Sequence, residues 1–155
     1  MRFWRGLVPV CLAAAAVSCT PGATSAPTTA VLSGAVVIHV SLGKYVVQSQ
    51  YGQIGGYSKN PLTISRGTVV QFINDDSFGH TASSVGTTGF PKSGPGAGSL
   101  TQSGTDFAQT GWSTGELQGG SASQAFTAAT PGTYYYGCFF HYSSQTPMRG
   151  VIVVQ

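Results

Sequence analysis

Thr133-Tyr134-Tyr135-Tyr136-Gly137-Cys138 and, one loop later, Met148-Arg149-Gly150-Val151-Ile152-Val153-Val154 decide the fold of this chain. Both stretches are dense in aromatic and β-branched residues, which suit a pleated, half-buried surface. Pro131-Gly132 introduces the first with turn chemistry. The pattern predicts two strands, Thr133–Cys138 and Gly150–Val154, joined by a loop that carries a thiol, an imidazole (His141) and a thioether (Met148).

Upstream, Thr68-Val69-Val70-Gln71-Phe72-Ile73-Asn74 reads as another strand, with Val70 and Phe72 on one face alternating with Val69, Gln71 and Ile73. Asn74-Asp75-Asp76 ends it as a turn, and His80 follows. Val36–Val40, Lys44–Gln50, Leu62–Ser65 and Ser123–Thr127 are further short strand candidates. Tyr51–Asn60 reads as loop, and residues 84–120, rich in Gly, Ser and Thr, as long surface loops with one short strand or helical turn. No segment sustains a helical period. The expected fold class is all-β, a sandwich of roughly seven to eight strands.

Two His, one Cys and one Met form the soft donor set of a mononuclear electron-transfer copper site, a trigonal His2Cys plane with a weak axial thioether. Here these are His80, Cys138, His141 and Met148. Cys138 and His141 flank the turn after one strand, Met148 precedes the next, and His80 arrives from a separate loop, so folding closes the set. Thr81 is placed to brace the first loop, and Phe139, Phe140, Tyr142 and Pro147 can form an apolar collar or simply pack the loop. The Tyr134–Tyr136 run reads as core and cross-strand packing.

The N-terminal segment has the organisation of an export signal. Arg2 and Arg5 precede an apolar run, Leu7–Val17, which is shorter than the ~20 residues needed to span a bilayer. Ala16-Val17-Ser18-Cys19 resembles a bacterial lipobox, with Ala where Leu is usual at its first position, so residues 1–18 are expected to be an export signal and Cys19 a lipidated residue. Ordinary signal cleavage nearby is the alternative. Residues 19–31, with two prolines and no core-forming run, read as a flexible tether, leaving 32–155 as one domain. An exported, periplasmic or extracellular location anchored to a membrane is the expectation. Cys138 would then be the lone thiol in an oxidising compartment, a liability unless something holds its sulfur.

Without the signal, Lys44, Lys59, Arg66, Lys92 and Arg149 stand against Asp75, Asp76, Asp106 and Glu116. This near-neutral balance, with no basic cluster, excludes a nucleic-acid partner.

Three segments carry a family resemblance: Arg66–Asn74 running on to His80, Pro131–Cys138, and Met148–Val153. They resemble the cupredoxins, the plastocyanin-like blue copper proteins, over roughly the last ninety residues apart from the middle. The resemblance implies a Greek-key β-sandwich or barrel and one type 1 copper ion held by His80, Cys138, His141 and Met148. Six residues, Tyr142 to Pro147, separate the second His from the Met, a longer gap than is common in that family. Gln145 is therefore an alternative axial donor, since an amide oxygen can take that position.

Other chemistries fit less well. A catalytic Cys–His pair needs an orienting Asp or Asn and an oxyanion site, and no such local signature is present. A structural zinc site seldom uses Met. His39, between β-branched neighbours, reads as a strand histidine and not a ligand. Three His in all are too few for a multicopper oxidase. The chain is thus expected to be no enzyme but a one-electron carrier serving redox partner proteins. The alternative is a module that sequesters, delivers or senses copper.

Overall fold

The computed structural model describes residues 30–155. The expected export signal, Cys19 and the tether up to residue 29 lie outside the described residues. In chain order the strands are β1 (Val36–Val40), β2 (Val47–Ser49), β3 (Gly52–Ile54), β4 (Leu62–Ile64), β5 (Val69–Asn74) and β6 (Ser83–Gly86). A 3-10 turn at Ala97–Leu100 precedes β7 (Gln102–Ser103), β8 (Ser113–Thr114), β9 (Phe126–Thr127), β10 (Gly132–Gly137) and β11 (Arg149–Val154).

The fold is all-β, as expected, but with eleven strands among the described residues in place of seven to eight. The extra strands are two to four residues long and lie where Gly and Ser erase any alternation. Hydrogen bonding to neighbours defines them, not side-chain pattern. One is β3, inside the expected 51–60 loop, and three (β6, β7, β8) lie wholly or partly in the 84–120 region. The expected Lys44–Gln50 strand shrinks to β2, because Tyr45 takes a positive φ of 58° and leaves extended geometry.

One sheet has the order β1-β5-β9, with β1 and β5 parallel. The other has the order β4-β11-β10-β6-β8-β7, and β2-β3 forms a separate hairpin. The sheets stay open, which leaves the sandwich and sets aside the barrel. At the centre of the large sheet β10 and β11 pair antiparallel from Gly132↔Val154 to Gly137↔Arg149. That register points Tyr134, Tyr136 and Ile152 inward.

Between the sheets sits an aromatic core. Phe72 of β5 lies 5.6 Å from Tyr136, 5.9 Å from Phe126, and 6.3 Å from both Tyr57 and Trp112, measured between ring centres. Gly150 is required opposite Tyr136, because any Cβ there would overlap the phenol ring. Gln71, predicted on the other face of β5, is also fully buried. Its amide donates to Ser123 O and accepts the Leu32 N–H at 2.7 Å, so the segment entering β1 covers that face.

Tyr136 is buried with a hydroxyl that has no hydrogen-bond partner. Burial pushes its pKa far above the ordinary value of ~10. Tyr57 is also raised, by burial and then by Cys138 and Tyr136, although its O–H donates to Thr81 O at 2.6 Å. Above pH ~10 the unfolded chain releases phenolic protons that the folded chain retains, so stability falls as pH rises. Tyr136→Phe removes an unsatisfied group and should stabilise the domain by ~1 kcal/mol, with a shallower alkaline decline. Phe72→Ala should cost ~3–5 kcal/mol. Urea unfolding midpoints at neutral and alkaline pH test both, and destabilisation by Tyr136→Phe would contradict the orphan-hydroxyl reading.

Candidate metal centre

The centre lies at one end of the sandwich, where β5 and β10 stop. Asn74, the last residue of β5, is fully buried and organises the loop beyond it. Its amide donates to Phe78 O at 2.7 Å and Leu117 O at 2.8 Å, and its Oδ1 accepts the Asp76 N–H. His80 is then pinned through its own backbone, donating to Leu117 O at 3.1 Å and accepting from Leu117 N at 2.7 Å.

Cys138 follows β10 directly, and its side chain is buried. The antiparallel ladder continues one step past the strand, as Cys138 N–H donates to Met148 O at 3.1 Å. Met148 N–H donates in turn to His141 O at 3.0 Å, folding the loop back on itself. Thr81 does brace the site, from two atoms. Its N–H points at Cys138 Sγ, 3.5 Å away, and its Oγ1 accepts the Phe139 N–H at 2.9 Å.

The result brings His80, Cys138 and His141 together, with one donor atom from each lying within 4.8 Å of the others. Cys138 Sγ is 3.7 Å from His80 Nδ1 and 3.7 Å from His141 Nδ1. An ion bonded to sulfur at ~2.3 Å and to nitrogen at ~2.0 Å, at trigonal angles, holds those two atoms ~3.7 Å apart. The spacing therefore fits one metal ion shared by the thiolate and both imidazoles, and this soft donor set is one that copper favours.

Met148 is fully buried and belongs to the same apolar cluster as Cys138. Gly56, at φ +77°, gives it room, since a Cβ there would stand 2.5 Å from Met148 Cγ. Gln145 is exposed, on the outer part of the loop. His39 lies apart from the cluster, its Nδ1 paired with Asp75 at 2.9 Å.

Asp76 is the residue the sequence reading missed, having been assigned only to a turn. Its Oδ2 lies 2.8 Å from His80 Nε2. Burial would raise its pKa, but donors from Leu42, Ser41 and His80 outweigh burial and hold it below the usual carboxylate value. An ionised Asp76 places the imidazole proton on Nε2 and leaves the Nδ1 lone pair facing Cys138. A carboxylate four residues before a candidate His ligand was the available signal. Burial raises the Cys138 thiol, against hydrogen bonds from Thr81, Phe140 and His141 that oppose it. It lowers His141, assisted by His80 and opposed by Asp76. Both shifts favour neutral groups until a cation arrives. Two exposed rings flank His141: Phe78 at 5.9 Å and Phe140 at 6.2 Å between ring centres.

No family model and no curated protein matches the sequence. Solved structures do match. An oxidised amicyanin variant superposes with a TM-score of 0.50 at 23% identity, covering 81% of this chain and 86% of its own. A reduced Cu(I) form of another amicyanin variant gives 0.50 at 24% identity, with the same coverage. A purple cupredoxin from Nitrosopumilus maritimus gives 0.50 at 23% identity, covering 77% of this chain and 99% of its own. Two open sheets with a His, Cys, His cluster at one end, together with these likenesses, establish that the chain has the cupredoxin fold.

Proposed function

We propose that this protein binds a single copper ion through His80, Cys138, His141 and Met148 and serves as a one-electron carrier outside the cytoplasm. The observation that carries the reading is the pair of 3.7 Å separations from Cys138 Sγ to the two imidazole Nδ1 atoms. Copper, when bound, would accept and return one electron. The chain's part is to hold the donors still, so that little rearrangement accompanies each change of charge. Thr81 holds the sulfur, Asp76 fixes the His80 tautomer, and the buried surroundings exclude water. The partly exposed His141 edge, between Phe78 and Phe140, is the route by which a redox partner protein would exchange the electron. Burial of Met148 and exposure of Gln145 favour the thioether as axial donor. Export and a lipid on Cys19 complete the proposal, placing the domain at a membrane surface.

Adding Cu(II) to the purified domain should produce an intense thiolate-to-copper charge-transfer band that is absent in Cys138→Ser. A colourless protein that takes zinc equally well would refute the copper assignment. Ready surrender of Cu(I) to a chelator would favour a delivery module over a carrier. Met148→Ala should alter the band and the reduction potential, whereas Gln145→Ala should leave both unchanged. Asp76→Ala should weaken copper affinity ~10–100-fold by freeing the His80 tautomer. Competition titration reads that loss, and an unaltered affinity would remove Asp76 from the site.

A further inference from the structure

Between His141 and Met148 the chain makes a long excursion, of which Ser143–Thr146 is exposed. A longer span has more conformational freedom to surrender than a short one, yet both of its ends carry donors that must stay in place. Tyr142, immediately after His141, is only 3% exposed. Its O–H donates to Pro91 O at 2.8 Å. The Arg149 guanidinium carbon lies 4.4 Å from the centre of its ring, and Arg149 Nε donates to Tyr142 O at 3.0 Å. One arginine thus grips both the ring and the main chain of the same residue.

Two glycines complete the slot. A Cβ on Gly94 would stand 2.6 Å from the Tyr142 ring, and one on Gly137 would overlap it. Gly94 also has a φ of +65°, a conformation that favours glycine. Phe90 meets the Tyr142 ring edge-on at 6.4 Å and is itself held by Tyr135 at 5.0 Å. Phe90, Pro91 and Gly94 all belong to the Gly-rich middle of the chain, which supplies no candidate donor.

We infer that Tyr142 is a positioning residue and that the 90–94 segment is its receptacle. Seating the ring there anchors the long loop and so sets the His141 and Met148 ends against Cys138. The inference rests on the copper reading for its consequence, but the anchor itself can be tested without metal. A tyrosine that merely fills space would stabilise the whole domain; an anchor acts on the loop first.

In metal-free protein, amide exchange at Met148 and Cys138 reports the two hydrogen bonds that close the loop. Tyr142→Ala should accelerate both by about tenfold or more while Ile38 and Phe72 amides in the opposite sheet keep their protection. Tyr142→Phe, which loses only the Pro91 bond, should fold normally and accelerate them less. After copper loading, Tyr142→Ala should shift the charge-transfer band and the copper hyperfine pattern. Unchanged exchange at Met148, or acceleration shared equally by β1 and β5, would overturn the inference. If wild-type protein gives no coloured copper complex, the functional reading fails while the exchange comparison still decides the anchor.

Discussion

Two main-chain hydrogen bonds, Cys138 N–H to Met148 O and Met148 N–H to His141 O, are the constraint on which the centre depends. The first is the last rung of the β10–β11 ladder, and the second turns the loop back onto that rung. Given the register Gly137↔Arg149, Cys138 must stand opposite Met148. Slipping either strand by one residue would reverse every side chain. A slip of β10 would send Tyr136 to the outer face and Cys138 away from His80, and a slip of β11 would turn Ile152 outward. The aromatic core therefore enforces the register, and the register places three of the four candidate donors. Only His80 needs separate provision, through Asn74, Leu117 and the two-atom brace at Thr81.

The electrostatics follow from that placement. A thiolate buried alone would lose its hydration without return, which is why burial lifts the Cys138 pKa. Asp76 behaves in the opposite way, because Leu42 N–H and Ser41 O–H both donate to it at 2.7 Å. The site thus keeps one fixed negative charge at its edge, directed at the far side of an imidazole, and holds its sulfur neutral until a cation can compensate it. A soft cation that prefers thiolate and imidazole satisfies both conditions.

Much of this was legible in the sequence wherever side chains alternate or carry unusual chemistry. β1, β5, β10 and β11 follow from β-branched and aromatic runs, and Cys138, His141 and His80 from their donor types at strand ends. Three kinds of information were not legible. Strands such as β7 and β8 are defined by hydrogen bonds between Gly- and Ser-rich segments that have no period. The burial of Gln71 depends on the segment before β1 crossing its face. The role of Asp76 depends on β1 and the residues after it bringing Ser41 and Leu42 against it, a long-range contact that makes a turn residue part of the centre.

Loop length alone is also a poor guide to ligand geometry here. Counting residues from His141 to Met148 suggests a slack connection and an uncertain axial donor. Yet the excursion is secured at both ends, by the Met148 backbone on one side and the Tyr142 ring on the other. Only its exposed middle is left to vary. The entropy that a long loop would cost is limited to those outer residues. The position of Met148 is then a property of the strand register and of the slot made by Gly94, Gly137 and Arg149. The His141–Met148 loop and the Phe90–Gly94 segment are, on this view, one structural unit, joined through the Tyr142 ring and its hydrogen bond to Pro91 O.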